Sequence, residues 1–302
     1  MRGFTVGRRY VEAHKATVRV LSEAELAAWR RQGGAKTVHS RGRFWVQTSP
    51  GFYQGVHYLA RMSASEAERP APICWAYRTS LRDGDAWQAN ASMPLWLLED
   101  LESYDENALV GWACESLAGC RRKVEIVGLR DMALLRQQGY EVYESHARRH
   151  GAGEILSRTE YLFRINTSVF DDRRLILAGL VEGRLAGYAD SFAVEGHAYL
   201  CNTFVASEFL STNISTGLRF EGAQAYRRSG AVRTVADGFD MPEQKDVMAF
   251  KTRLNFKVVP VPARIGMLAP ARAILRARRP WAYYRMTGKL GALVGDRGEA
   301  AI

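Results

Sequence analysis

The run Leu175-Ile176-Leu177-Ala178-Gly179-Leu180-Val181 is followed by Glu182-Gly183-Arg184, and then by Leu185-Ala186-Gly187-Tyr188-Ala189-Asp190-Ser191-Phe192-Ala193-Val194. Two apolar runs of strand length around a short Gly-containing break predict a tight hairpin. Glu195-Gly196 makes the next turn, and His197-Ala198-Tyr199-Leu200-Cys201-Asn202-Thr203-Phe204-Val205-Ala206 reads as a central strand. Ser207 to Thr216 is polar and supplies helix-capping side chains. A helix-length segment runs on to Arg228 and stops at Ser229-Gly230. Val232 to Ala236 predicts a strand, Asp246 to Leu254 a helix, and Lys257 to Ile265 a last strand interrupted by Pro260 and Pro262.

Working outward, residues 1–20 read as an extended arm or edge strand, with Tyr10 to Val20 alternating in part. Ser22-Glu23-Ala24-Glu25 is a capping box opening a helix that stops at Gly33-Gly34. Arg43 to Gln47, Val56 to Met62 and Ile73 to Arg78 are aromatic-rich and suit strands. Pro94 is expected in the first turn of a helix carrying Leu95, Trp96, Leu97, Leu98 and Leu101, and Asp105 as the cap of a second helix to Cys120. Val124 to Val127 predicts a strand, Asp131 to His150 a long helix, and Arg158 to Phe170 a shorter one.

The chain has 302 residues, 47% hydrophobic and 25% charged, as in an ordinary soluble globular protein of one large or two small domains. No apolar run approaches the roughly 20 residues of a membrane span. Met1-Arg2-Gly3-Phe4-Thr5-Val6-Gly7-Arg8-Arg9 lacks the apolar core of a secretory signal, so a cytoplasmic location is expected, with association at the inner membrane face as a further option. Cys74, Cys114, Cys120 and Cys201 form no C-x-x-C pair and read as buried reduced thiols. A net charge of +10 favours an anionic partner, such as CoA phosphates, an acidic carrier protein, tRNA or an anionic lipid surface, without choosing among them.

The order of hairpin, long strand, polar loop, helix, strand, helix and strand resembles the acyl-CoA N-acyltransferase (GNAT) fold. Asp237-Gly238-Phe239-Asp240, leading to Phe250-Lys251-Thr252-Arg253-Leu254-Asn255-Phe256, is similar to the FemAB-like branch, where a related helix end precedes the closing strand. The fold expected is therefore α/β (α+β), with a GNAT-like mixed and mostly antiparallel sheet flanked by helices. The expected divisions are an N-terminal unit over 1–120, a shortened GNAT-like half by analogy, the acyltransferase unit over 121–267, and a basic tail over 268–302.

The resemblance implies a transfer of an acyl or aminoacyl group from a thioester or ester onto an amine. Acyl-CoA, an acyl carrier protein or aminoacyl-tRNA would be the donor, with no metal. An amino sugar, an amino acid or a cell-envelope precursor would be the acceptor. The donor arm would bond the strand edge Thr203-Phe204-Val205-Ala206 where it parts from its neighbour. The donor phosphates would rest on Ser211, Thr212, Asn213, Ile214, Ser215, Thr216 and Gly217, at a helix start. The family's Gly-rich loop is absent there, Gly217 standing alone, so the stretch also reads as a plain helix N-cap and CoA is put in doubt. The family's acid is a Tyr whose slot holds Lys251, able to protonate a leaving group or hold a phosphate. Glu208 and Asp237 are base candidates or simple turn formers, and Asn202 and Thr203 candidates for the acceptor pocket. A binding module whose donor cleft has closed is the non-catalytic alternative.

His146 and His150 stand one helical turn apart and could hold a metal, though Arg148 and Arg149 favour a solvated basic helix end. In the tail, Arg272, Arg276, Arg278, Arg279, Arg285, Lys289 and Arg297 interleave with Ile274, Leu275, Trp281, Tyr283, Tyr284 and Met286. That pattern suits a helix on the protein's own surface, an anionic membrane or RNA.

Overall fold

The computed structural model describes residues 10–151, 154–167 and 172–289. The strands are β1 (Tyr10–Glu12), β2 (Val20–Leu21), β3 (Thr37–Ser40), β4 (Arg43–Ser49), β5 (Phe52–Gly55), β6 (Ala76–Ser80), β7 (Ala91–Leu98), β8 (Glu125–Leu129), β9 (Leu175–Val181), β10 (Arg184–Val194), β11 (His197–Val205), β12 (Thr234–Phe239) and β13 (Lys257–Met267). The α-helices are α1 (Glu23–Gln32), α2 (Ala113–Lys123), α3 (Ala133–Arg149), α4 (Arg158–Thr167), α5 (Ile214–Ser229), α6 (Lys245–Arg253), α7 (Ala269–Arg278) and α8 (Pro280–Thr287).

Two compact units form. The first comprises Met1–Val20, Leu98–Asp237 and Thr252–Phe256; the second comprises Leu21–Leu97, Gly238–Lys251 and Lys257–Ile302. Both are discontinuous, so the contiguous divisions expected at 121 and 268 do not coincide with them. The physical reason lies in β13, which pairs antiparallel with β7 and β6 and so completes the sheet of the N-terminal residues.

In the first unit the strand order is β1-β8-β9-β10-β11-β12, antiparallel except for the parallel pair β11–β12. The hairpin turn pairs Glu182 at φ 50° with Gly183 at φ 81°, and the next pairs Glu195 at φ 49° with Gly196 at φ 80°. Two successive positive φ values match the right-handed twist of the flanking strands. α3 packs on β10 and β11, and its Leu134, Leu135 and Val142 join Val127, Ile176, Ala178 and Tyr188 in one core. α5 packs on β9, β10 and β11, with Leu218, Phe220, Ala223 and Tyr226 buried. Val169 and Phe170, within the expected helix from Arg158, lie outside the described residues.

In the second unit the order is β7-β13-β6-β5-β4-β3, antiparallel except for β5–β6. The helix expected from Pro94 is the strand β7. Its residues from Met93 to Leu98 are all buried, and a strand buried on both faces loses the alternation that would mark it. Pro94 stands opposite Pro260, so two missing donors fall on one rung, and the Pro94 carbonyl still accepts the Asp240 N–H at 2.8 Å. Val56 to Met62 is not a strand; only Met62 makes an isolated bridge, to Leu81. The helix expected from Asp105 is a short 3-10 turn over Glu106–Ala108, capped by Asp105, with α2 beginning later. All four cysteines are free; Cys74 and Cys120 are buried, whereas Cys114 and Cys201 are exposed.

Candidate functional site

β11 pairs with β12 only from His197 to Tyr199, opposite Thr234 to Ala236. From Leu200 onward β11 keeps its β10 partner alone, through Val205 opposite Gly187. Cys201 is an extra residue in that ladder, since Asp190 faces Asn202 and Ser191 faces Leu200. Such a bulge bends a strand and re-aims its side chains. The Ala206 N–H bonds the Ala186 carbonyl at 3.0 Å, and the alternation of an antiparallel ladder then turns the N–H and C=O of Thr203 and Val205 away from β10.

The Val205 groups are taken by α3. Its N–H donates to His146 Nδ1 at 3.4 Å, and its carbonyl accepts Arg149 Nη1 at 3.1 Å. Ser145 Oγ accepts the N–H of Ser207 at 2.9 Å beside them. The expected donor edge Thr203 to Ala206 is thus half closed by the chain's own side chains. His146 is pushed down to a pKa of about 4, chiefly by burial, with His150 and Arg149 adding repulsion. A neutral ring lends no charge to the helix dipole, so the basic end of α3 rests on Arg149 and the exposed Arg148. Among the described residues no group of three His, Cys, Asp or Glu side chains is placed to share a metal ion.

The expected phosphate loop folds as a 3-10 turn over Ser207–Thr212, Asn213 at φ 59°, and then α5. Ser211 is exposed, Asn213 and Ser215 half-buried, and Thr212, Ile214, Thr216 and Gly217 buried. α2 covers this start. A Cβ on Gly217 would stand 2.5 Å from Cys120 Sγ and 2.7 Å from Ile126 Cδ1, so this glycine admits a neighbouring side chain. Thr212 Oγ1 donates to the Phe209 carbonyl at 2.6 Å.

Of the three expected catalytic residues, Asp237 and Glu208 belong to the first unit and take different partners. Asp237, 4% exposed, accepts Arg219 Nη1 at 2.5 Å. Arg219 lines a cleft with Asn202, Thr203 and Leu218, beside the stretch of β11 that has left β12. Glu208 is exposed, pairs with Arg184 at 3.1 Å and lines a different hollow, with Gln138 and Val142. Lys251 belongs to the second unit, where it is buried with its ammonium 5.8 Å from the Trp96 ring centre.

A second polar group shares Asn202 with the cleft beside Arg219. Asp190, 9% exposed, accepts Arg174 Nη2 at 2.5 Å and Asn202 Nδ2 at 2.9 Å. The three line a cavity walled by Tyr143, Tyr161, Tyr188 and Phe204. Asp190 had a signal in the sequence, as the one acid inside an apolar strand; Arg174 had none, and His146 and Arg149 stood out only by their place at a helix end, because their β11 partner is distant in the chain.

No family model and no curated protein matches the chain. Solved structures do. FemX superposes over 88% of this chain and 96% of its own, with TM-score 0.58 at 8% identity. The C-terminal domain of an Agrobacterium fabrum protein assigned as a lysylphosphatidylglycerol synthetase covers 88% of this chain and 98% of its own, with TM-score 0.57 at 13% identity. L-PGS from Bacillus licheniformis covers 90% and 99%, with TM-score 0.51 at 10% identity. The fold is FemAB-like. At such identities the likeness fixes the path of the backbone. The parted β11 edge is bonded by His146 and Arg149, and Gly217 near the start of α5 is packed by Cys120.

Proposed function

We propose that this chain transfers an acyl or aminoacyl group from an ester or thioester donor to an amine, and that the donor is borne on a macromolecule, tRNA or acyl carrier protein. The observation that carries the reading is the parting of β11 from β12 after Tyr199, which leaves the Thr203 backbone without a β12 partner, beside a narrow cleft lined by Leu200, Leu218 and Arg219. The covered start of α5 speaks against a free CoA pyrophosphate there, and the charge of +10 suits a polyanionic carrier. In the reaction, the acceptor nitrogen attacks the donor carbonyl carbon as the carbon–oxygen or carbon–sulfur bond breaks. The Thr203 N–H polarises the carbonyl oxygen. Asp237, held by Arg219, takes the proton lost by the amine, and the leaving oxygen or sulfur is protonated from solvent.

A direct test incubates the full chain with radiolabelled aminoacyl-tRNA, acyl carrier protein thioesters and acyl-CoA in turn. Acceptors are amino acids, amino sugars and cell-envelope precursors, plus phosphatidylglycerol vesicles, because one structural neighbour is named for a lysyl group on that lipid. Label should move from tRNA or carrier protein, and Asp237→Asn should slow it by roughly 10²-fold or more. Turnover from acyl-CoA alone would reject the macromolecular donor.

One observation favours a second reading, a binding module without turnover: Val205 is bonded by His146 and Arg149, and Gly217 is closed by Cys120. Donor binding without transfer to any acceptor would decide for it.

A further inference from the structure

The cavity between α3, α4 and the face of β9, β10 and β11 measures about 180 Å³. An apolar protein cavity of roughly 150 Å³ is known to take up benzene. Its walls are aromatic. Tyr143 and Tyr161 stack with ring centres 5.5 Å apart, Tyr143 meets Phe204 edge-on at 5.7 Å, and Tyr188 lies 5.0 Å from Phe204. The Tyr161 and Tyr188 hydroxyls approach to 3.3 Å, and burial pushes Tyr161 up to about 12, so both rings stay neutral near pH 7. α3 carries Gly139 under this group; a Cβ there would collide with the Tyr161 hydroxyl, so the missing side chain sets where that ring stands.

The polar end is cationic. Arg164 and Arg174 line the cavity with a single acid, Asp190, for a net charge of +1. Both Asp190 oxygens are already engaged, by Arg174 and Asn202, so the carboxylate orients its donors and does not receive a ligand. Two arginines against one acid repel a cationic ligand, whatever the aromatic walls offer it. A nucleotide is far larger than the space. What fits is a single aryl group whose tether ends in a carbonyl or carboxylate oxygen facing Arg174.

We propose that this cavity binds an arylalkanoyl group, the aromatic part of an acyl or aminoacyl ester. Calling the bound group the one transferred rests on the function proposed above; binding itself does not. The placement suits transfer, since Asn202 and Phe204 in the cavity wall alternate along β11 with Thr203, whose backbone turns away from β10.

The test uses the full chain and titration calorimetry with 3-phenylpropanoate, hexanoate, acetate and phenethylamine. The aryl carboxylate should bind about five- to tenfold tighter than hexanoate, because aromatic pairing adds to buried area. Phenethylamine should bind more weakly than either. Arg174→Met should abolish the preference for 3-phenylpropanoate over 3-phenylpropanamide, while Tyr143→Phe, which keeps the ring, should preserve the aryl preference. Ile165→Phe should fill the space and block binding; if that variant fails to fold, Leu156→Phe is the second filler. Equal affinity for hexanoate, tighter binding of phenethylamine, or no binding of the aryl carboxylate overturns the proposal. Aryl binding by a chain that transfers nothing keeps this site and sinks the transferase, whereas transfer without aryl binding sinks this site alone.

Discussion

His146 Nδ1 accepts the backbone N–H of Val205 at 3.4 Å, and Arg149 Nη2 lies 3.1 Å from the same ring nitrogen. An arginine only donates, so Nδ1 is the acceptor and the ring proton sits on Nε2. Protonating the ring would end both contacts. The pKa of His146 is pushed down to about 4, first by burial and then by His150 and Arg149, from an ordinary value of about 6.5. Between those two values the unfolded chain takes up the proton and the folded chain does not. Stability is therefore full above about pH 6.5, falls as pH drops towards 4, and levels off below that. With the ring only half-buried we expect a loss of about 2 kcal/mol across the window. Urea midpoints at pH 7 and pH 4.5 should separate further for the wild type than for His146→Gln; equal separations would mean that this contact does not hold the ring neutral.

Gly217 supplies a packing test of the covered helix start. Alanine at an open, helical glycine usually gains up to about 1 kcal/mol. Here the new methyl would meet Cys120 Sγ and Ile126 Cδ1, and overpacking of this kind costs about 1–3 kcal/mol. Gly217→Ala should lower the denaturation midpoint, and Cys120→Ala should restore most of the loss in the double variant. A stabilising Gly217→Ala would show the start of α5 to be open, and a free CoA donor would return.

The hairpin Leu175–Val194 was legible because its turn fixes two adjacent positive φ values and its strands carry long apolar runs. The parting of β11 was legible only through the family resemblance, since no residue type forces it. β7 was misread because Pro94 before a leucine-rich run satisfies the rule for a helix start, and full burial had erased the period of two. The pairing of His146 with Val205, 59 residues on, and of Arg174 with Asp190 depends on where α3 and the sheet meet. Nothing local to either residue encodes that. His146 looked like a dipole partner because spacing along a helix is visible in sequence and desolvation is not.

Arg78 offers a third prediction. It is 3% exposed, donates Nη1 to the Arg285 carbonyl at 2.5 Å and Nη2 to Gln54 Oε1 at 2.8 Å, and lies 4.6 Å from the Phe239 ring centre. Among the described residues no carboxylate pairs with it, and its Nε is buried without a partner. Burial pushes its pKa down to about 10, so the charge persists at neutral pH. Replacing a buried charge by an apolar chain of similar length is often neutral, whereas removing its partner strands the charge. Arg78→Met should change stability by less than about 1 kcal/mol, while Gln54→Leu should cost about 1.5–3 kcal/mol, as for a lost hydrogen bond to a charged group. Chemical denaturation of the two variants checks the order; a larger loss for Arg78→Met would mean that the guanidinium contributes more than its desolvation takes away.

α7 is a helix of 10 residues with none buried and no acid. Isolated helices of fewer than about 12–15 residues are marginal in water. It carries Arg272, Arg276 and Arg278, with Arg279 next, and Leu268 and Ile274 are 56% and 60% exposed. The Leu268 N–H bonds the Trp75 carbonyl at 3.0 Å, which brings the segment containing Ile73, 84% exposed, to the same end of the helix. Apolar side chains beside a row of arginines match an anionic lipid surface, where each basic residue contributes about 1 kcal/mol. We predict that the full chain co-sediments with phosphatidylglycerol vesicles at low salt, is released as salt rises, and ignores phosphatidylcholine. Arg272→Glu with Arg276→Glu should weaken binding by roughly 10²-fold or more, and the double Lys variant should retain it. Equal binding by the Glu and Lys variants would move the contact away from α7, and preference for RNA over vesicles would reassign the face to nucleic acid.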